Sequence, residues 1–203
     1  KVKESQKSPK ALVSYKKTDQ THFVLAMRSF DILSKKNPTL SVLAGILGGG
    51  MSSRLFQKLR EEMGVGYYVR SYNDAYLDHG FLQVSAGVDN KRIFEVIDAV
   101  LEECRKLKEE EVDEEELGKV KEFLMGNMKL SLESSDDIAN FYGGQELLTK
   151  KIKSIEERAE EIKKVTTKSV KVLANEIFQD SKLNLALIGP FKDKSKFLKT
   201  LKF

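Results

Sequence analysis

The chain has 203 residues, of which 40 % are hydrophobic and 33 % are charged. This composition is typical of a globular protein and excludes an intrinsically disordered one, and the length is enough to bury a sizeable core. The formal net charge is only +4, from 35 basic and 31 acidic side chains, so the charge balance disfavours nucleic-acid binding.

Cysteine usage and apolar runs bear on the compartment. Cys104 is the only cysteine, so no oxidising compartment is implied, and we expect a small buried residue on a helix. The longest apolar run, from Val42 to Met51, is about ten residues, well short of the ~18 that span a bilayer. No signal peptide is recognisable, but residue 1 is a lysine, so we expect a fragment. The compartment therefore stays open, with the cytoplasm favoured.

The first predicted strand lies near the N-terminus. Residues 1–17 are expected to be a linker or a frayed segment, because their first part is polar and contains a proline. Large apolar side chains alternate with smaller or polar ones from Thr21 to Arg28, which predicts a strand. The residues on its buried face are Phe23, Leu25 and Met27. Thr39 or Ser41 is expected to begin the first helix.

The stretch from Leu43 to Val69 organises the chain. Its opening apolar run breaks at three consecutive glycines, and Ser52 or Ser53 can then cap a second helix. Apolar residues recur at helical spacing until Gly64 and Gly66 end that helix. We interpret the glycine triplet as a tight turn, since it lacks the GK[ST] of a phosphate loop. The three turn residues are Gly48, Gly49 and Gly50.

A strand is predicted from about Tyr67 to Tyr76, followed by a hairpin-like turn at 78–80. The next strand has buried positions at Leu82, Val84, Ala86 and Val88. Two strands joined this tightly must be antiparallel.

Amphipathic helices dominate the second half. Asn90 is expected to cap the first helix, and Asp113 with Glu116 has the spacing of a capping box for the second. The acidic run 109–116 is a conceivable cation site, but consecutive helical carboxylates point apart, so a solvated helix start is expected. The remaining predicted elements are helices over Ser135–Leu148 (interrupted by Gly143 and Gly144), Ile155–Val165 and Val170–Phe178, and a strand over Leu183–Ile188.

Hairpin strands combined with blocks of helices predict an α+β fold. We expect a two-layer sandwich in which helices pack on one face of a mostly antiparallel sheet, with residues 18–203 forming a single domain.

Catalytic motifs are lacking in this sequence. A catalytic zinc needs about three protein ligands, whereas the two histidines, His22 and His79, occupy separate strand-side positions. A GxSxG nucleophile motif is also absent. We therefore expect no metal site and no catalytic residue on this chain alone.

The residues LGGGMSSRLFQKLRE, together with Arg60 and Tyr67 seven positions apart, resemble the C-terminal, non-zinc domain of the pitrilysin, insulinase and mitochondrial processing peptidase family. The resemblance extends from about Lys17 to Phe191. It implies one half of a zinc-dependent metalloendopeptidase, inactive alone, that completes an active-site chamber. The partner half, in the same chain or on another subunit, would carry HxxEH and the zinc.

The resemblance also implies that Arg60 and Tyr67 lie across the chamber from the zinc and hold a peptide substrate. A guanidinium donates several hydrogen bonds to backbone carbonyls, and a phenol can donate to a developing oxyanion. Without the resemblance, Arg60 would be a surface charge and Tyr67 a packed strand aromatic. We expect both side chains to point into one shared cleft. Because Tyr68 adjoins Tyr67, the assignment depends on the seven-residue spacing.

A structural or interaction subunit is the alternative. Family members without zinc motifs serve as scaffolding core proteins of a respiratory complex. Arg60 and Tyr67 favour the peptidase interpretation, because a scaffold has no use for them.

Overall fold

Strand β2 (Gln20–Ser29) is the centre of the sheet in a computed structural model of the chain, which describes residues 2–203. It pairs antiparallel with β4 (Gly80–Asp89) on one side and with β5 (Leu183–Gly189) on the other. Strand β3 (Tyr68–Ala75) continues the sheet beyond β4, and β1 (Lys10–Tyr15) pairs parallel with β5 at the opposite edge. The strand order is therefore β1-β5-β2-β4-β3.

Helices lie between β2 and β3, between β4 and β5, and after β5. In chain order they are α1 (Asn37–Gly48), α2 (Arg54–Phe56) with a π-helical continuation (Gln57–Glu62), a 3₁₀ turn (Asn90–Arg92), α3 (Ile93–Glu109), α4 (Glu114–Leu130), α5 (Ser135–Thr149), α6 (Ile155–Lys163), α7 (Thr167–Ile177), a second 3₁₀ turn (Asp180–Lys182) and α8 (Ser195–Thr200).

The core lies between one face of the sheet and the helices. Phe23, Leu25 and Met27 on β2 are each 1 % exposed, whereas the preceding residue, His22, lies exposed on the opposite, open face. Helix α1 is the most deeply placed helix, since eight of the nine residues from Leu40 to Gly48 are buried and Ser41 is the exception. The predicted α+β arrangement, a mostly antiparallel sheet with helices, is confirmed.

The N-terminal segment differs from the prediction. A linker over residues 1–17 is wrong for Lys10–Tyr15, which form β1; Lys1 lies outside the described residues. Ala11 and Val13 pack partly against the core at the edge of the sheet, while their neighbours remain exposed. Two half-buried residues give too weak an alternation to predict a strand from sequence.

Several predicted helix starts are also wrong. Helix α1 begins at Asn37, with a proline in its first turn, rather than at Thr39 or Ser41. The carboxylate of Asp89, not the side chain of Asn90, caps the first 3₁₀ turn. The amide of Asn90 instead accepts a hydrogen bond from Thr21 and donates one to Thr18, which ties the turn to β2.

Asp113 caps α4 as predicted, because its carboxylate accepts a hydrogen bond from the Glu116 backbone at 2.6 Å. The reciprocal half of the capping box is absent. The Glu116 carboxylate instead binds Arg54 through two hydrogen bonds of 2.8 and 2.7 Å. This bond raises the pKa of Arg54 against the opposing effect of its burial.

Two further differences concern the later helices. Gly143 and Gly144 do not interrupt α5, which runs continuously from Ser135 to Thr149. Helix α8 follows β5, with Phe197 only 1 % exposed, in a lysine-rich stretch that carried no clear helix signal. Cys104 is buried as predicted, and burial raises the pKa of its thiol.

Candidate functional site

The glycine turn between α1 and α2 packs directly against β3. A Cβ atom on Gly48 would lie 2.6 Å from the backbone nitrogen of Ser71, and one on Gly49 would lie 2.7 Å from Cα of Gly45. A side chain at Gly48 would therefore separate α1 from β3, whereas one at Gly49 would collide with the last turn of α1 itself. Ser53 occupies the N-cap position of α2, but its hydroxyl donates back to the Gly50 carbonyl and makes no cap bond.

The helix that carries Arg60 changes type after its first turn. From Gln57 to Glu62 it is a π-helix, and the Met63 backbone N–H donates to the Lys58 carbonyl at 3.1 Å. The Val65 N–H then donates to the Leu59 carbonyl at 2.7 Å. A π-turn widens the helix and recurs at functional sites. Buried Leu59 and Val65 anchor its inner side.

Arg60 and Tyr67 meet at an exposed surface at the end of this helix. Nη1 of Arg60 donates to the backbone carbonyl of Tyr67 at 2.9 Å, and the guanidinium lies 5.5 Å from the centre of the Phe56 ring. The Tyr67 backbone N–H donates to the Gly87 carbonyl at 2.8 Å, and the Tyr67 side chain is 62 % exposed. The backbone of Tyr67 is therefore held, while its phenol is accessible.

The loop that joins the two residues needs glycine at two positions. Gly64 has φ +60° and Gly66 has φ +93°, both in the left-handed region that other residues rarely adopt. Arg92 contacts this loop from outside, since its Nη1 donates to the Met63 carbonyl at 2.9 Å.

Tyr68 differs from Tyr67 in its surroundings. Its hydroxyl lies 3.3 Å from Nδ1 of His22, and the two rings stack on the open face of the sheet. A Cβ on Gly87 would lie 2.7 Å from the Tyr68 ring, so the glycine makes room for this pair. Tyr68 therefore packs on the sheet, and Tyr67 is the more accessible of the two tyrosines.

Ligands for a zinc ion are not grouped anywhere in residues 2–203: no three His, Cys, Asp or Glu side chains lie close enough to hold a metal. His22 contacts Tyr68, and Nδ1 of His79 lies 2.7 Å from the Asp78 carboxylate, which lowers the pKa of Asp78. A zinc site of the family's catalytic kind does not fit this chain.

The acidic side chains at the start of α4 are engaged in contacts within the protein. Asp113 caps the helix, Glu115 pairs with Lys119 at 2.6 Å, and Glu116 binds Arg54. These carboxylates belong to the start of a helix, as expected from the sequence, and each has a partner within the protein.

A groove of about 720 Å³ lies at the other end of the strands from Tyr67. Its lining includes Arg28, Phe81 and Lys182, and Arg28 forms an ion pair with Glu4 there. Sequence reasoning gave no signal for this groove. Neither Arg60 nor Tyr67 lines this groove, so it is not the shared cleft expected for these two residues.

Across residues 2–203, no helix combines the length and apolar character needed to cross a membrane.

Comparison with known proteins places these features in a family. Residues 1–124 match the family described as the peptidase M16 inactive domain, which is more than half of the chain. The chain belongs to the peptidase M16 inactive-domain family. The match includes the glycine turn, the π-turn and both Arg60 and Tyr67.

Curated relatives of this M16 inactive domain are named as zinc proteases. The chain is 35 % identical over 179 residues to the uncharacterized zinc protease YmxG of Bacillus subtilis, covering 88 % of this chain and 44 % of that protein. It is 32 % identical over 179 residues to the uncharacterized zinc protease SCO5738 of Streptomyces coelicolor, covering 88 % of this chain and 39 % of the relative. The chain therefore spans less than half the length of these relatives.

Solved structures share the fold of this M16 domain. A peptidase M16 inactive domain from Pseudomonas fluorescens superimposes with a TM-score of 0.83 at 21 % identity, covering 95 % of this chain and 46 % of that one. A protease from Helicobacter pylori gives a TM-score of 0.81 at 22 % identity, covering 91 % and 45 %. A chain of complex III2 from Candida albicans gives 0.82 at 16 % identity, covering 95 % and 49 %.

Proposed function

We propose that this chain is the substrate-binding half of a zinc metalloendopeptidase and completes its active-site chamber with a zinc-bearing half. That half carries HxxEH and lies in the same polypeptide or on a separate subunit. The observation that carries the proposal is the Arg60–Tyr67 pair, in which Arg60 holds the backbone carbonyl of Tyr67 and the Tyr67 phenol is accessible. The naming of the relatives as zinc proteases supports it.

The geometry of the pair suits peptide binding. One guanidinium N–H of Arg60 is bonded to the Tyr67 carbonyl, and a guanidinium has five donors, so others remain for substrate carbonyls. The Tyr67 phenol can donate to the oxygen of a scissile carbonyl as that oxygen becomes negative. Both side chains are hydrogen-bond donors, which suits a substrate oxygen that develops negative charge.

An edge strand begins immediately after Tyr67. Strand β3 is at the end of the strand order, so its outer side is free of sheet pairing within residues 2–203. An extended peptide can add to such an edge through main-chain hydrogen bonds. We propose that the substrate pairs in this way beside the Arg60–Tyr67 pair.

The chemistry itself belongs to the other half. A zinc ion there supplies activated water for peptide-bond hydrolysis. This chain contributes binding and oxyanion stabilisation, and we expect it to hydrolyse no peptide and to bind no stoichiometric zinc alone. Elemental analysis of chelator-washed protein that found one zinc per chain would contradict this expectation.

Reconstitution with the zinc-bearing half tests the proposal. With an internally quenched fluorescent peptide as substrate, Tyr67→Phe and Arg60→Ala should each lower kcat by about 10²–10³. Their melting temperatures should remain close to that of the parent chain, because both side chains are exposed. Tyr68→Phe is the matched control and should retain most activity, since Tyr68 packs on the sheet.

A scaffold subunit of the same fold is the second candidate. The likeness to a complex III2 chain, with a TM-score of 0.82, shows that a chain of this fold occurs in such an assembly. Wild-type turnover for both Tyr67→Phe and Arg60→Ala would favour this candidate.

A further inference from the structure

The loop from Met63 to Tyr67 must hold one conformation for the Arg60–Tyr67 pair to form. Two of its residues, Gly64 and Gly66, lack side chains and have positive φ. Glycine loses more conformational freedom on ordering than other residues. Val65 is the buried residue of this loop, at 6 % exposure. Contacts from outside the loop therefore matter for its order.

Arg92 supplies such a contact from the start of α3. Nη1 donates to the Met63 carbonyl at 2.9 Å. The other side of its guanidinium is bound by Glu95, with Nε and Nη2 donating to the two carboxylate oxygens at 2.7 and 2.6 Å. A two-point bond between guanidinium and carboxylate fixes the plane of the fork. The remaining Nη1 is thereby aimed at Met63.

We propose that Arg92 is a positioning residue: by holding the Met63 carbonyl, it keeps the Met63–Tyr67 loop in the conformation that brings the Tyr67 carbonyl to Arg60. The inference rests on the proposed function, in which Tyr67 acts on the substrate. The hydrogen bond from Arg92 goes to the Met63 carbonyl, whereas the Tyr67 carbonyl is bound by Arg60. Arg92 therefore acts on Tyr67 through the backbone of the loop.

Arg105 offers a matched control on the same helix. It also pairs with a carboxylate three positions away, Glu102, at 2.9 Å, and its Nη1 donates to a backbone carbonyl, that of Lys202, at 3.3 Å. Arg105 lies near the other end of α3, away from the Arg60–Tyr67 loop. Removing Arg105 deletes the same kinds of bonds without touching the loop.

The experiment uses the enzyme assembled from this chain and its zinc-bearing half. Hydrogen–deuterium exchange is followed in the peptide segment 63–69, where the Val65 and Tyr67 amides are hydrogen-bonded. We expect Arg92→Ala to speed exchange of this segment about tenfold or more, since each lost restraint raises local opening. Arg92→Lys should behave similarly, because a lysine cannot form the planar fork. Arg105→Ala should leave this segment unchanged.

Turnover of the quenched peptide gives the second readout. Arg92→Ala should lower kcat by roughly 10- to 100-fold through misplacement of Tyr67, and it should cost little more in a Tyr67→Phe background. Unchanged exchange in segment 63–69 would overturn the inference. Where Tyr67→Phe alone lowers kcat, equal losses of turnover from Arg92→Ala in the two backgrounds would also overturn it.

The two readouts separate this inference from the proposed function. If Tyr67→Phe alone retains wild-type turnover, the proposed function has failed. In that case faster exchange in Arg92→Ala still supports the role of Arg92 in ordering the loop, and unchanged exchange overturns it.

Discussion

Replacing Gly48 by alanine should destabilise the chain, against the usual effect of this change in a helix. Gly48 is the last residue of α1 and has no positive φ, so helix propensity alone favours alanine by about 1 kcal/mol. The new Cβ would lie 2.6 Å from the Ser71 nitrogen, where ordinary contact begins at 3.4 Å. Helix α1 and β3 must then separate by about 0.8 Å. Overpacking of this kind costs about 1–3 kcal/mol.

Gly118→Ala is the control with the opposite expected sign. Gly118 lies inside α4, and a Cβ there would meet no atom within 4 Å. This substitution should stabilise the chain by about 0.5–1 kcal/mol. Urea unfolding followed by circular dichroism measures both free energies of unfolding. If Gly48→Ala matched or exceeded the stability of the parent chain, the argument that this glycine is required for close packing of α1 on β3 would be refuted.

Three further expectations concern stability and accessibility. Asp113→Ala should lower the free energy of unfolding by about 1 kcal/mol through loss of the α4 cap; an unchanged urea midpoint would show that the cap contributes nothing. Cys104 should resist a thiol reagent at neutral pH until the chain unfolds, because burial raises its pKa; rapid labelling of native protein would contradict this. Backbone amides of α5 should exchange faster than those of α1, because α5 has one buried residue, Gln145, whereas α1 has eight. Equal protection of the two helices in exchange measurements would count against this expectation.

The sequence predicted the inner strands well for a physical reason. One face of β2 and β4 is buried and the other is open, so burial alternates along β2 and along most of β4. Strand β1 has only Ala11 and Val13 against the core, and this short edge strand left no comparable pattern. A two-residue alternation appears in the sequence where one face of a strand is fully buried. At the edge of this sheet, β1 is only partly buried, so the alternation is weak.

Side-chain partners were less predictable than elements. The capping-box spacing of Asp113 and Glu116 was present, but Arg54, distant in sequence, binds the Glu116 carboxylate instead. The proximity of Arg60 and Tyr67 followed from the family resemblance, whereas the π-turn and the Arg60 bond to the Tyr67 backbone had no sequence signal. Which donor binds a given carboxylate depends on tertiary packing, and the spacing of residues along the chain does not predict tertiary packing.

Within residues 2–203, strand β1 pairs only with β5, and Lys10 lies opposite Asn184. During synthesis, β1 leaves the ribosome long before β5 and has no sheet partner within residues 2–203 until β5 has emerged. The side of β2 that faces β5 is also unpaired for that time. Such long-range pairings slow folding and expose strand edges to other chains. Nascent chains cut short before β5 would leave β1 and this side of β2 without their sheet partner, which makes them candidates for chaperone binding or aggregation.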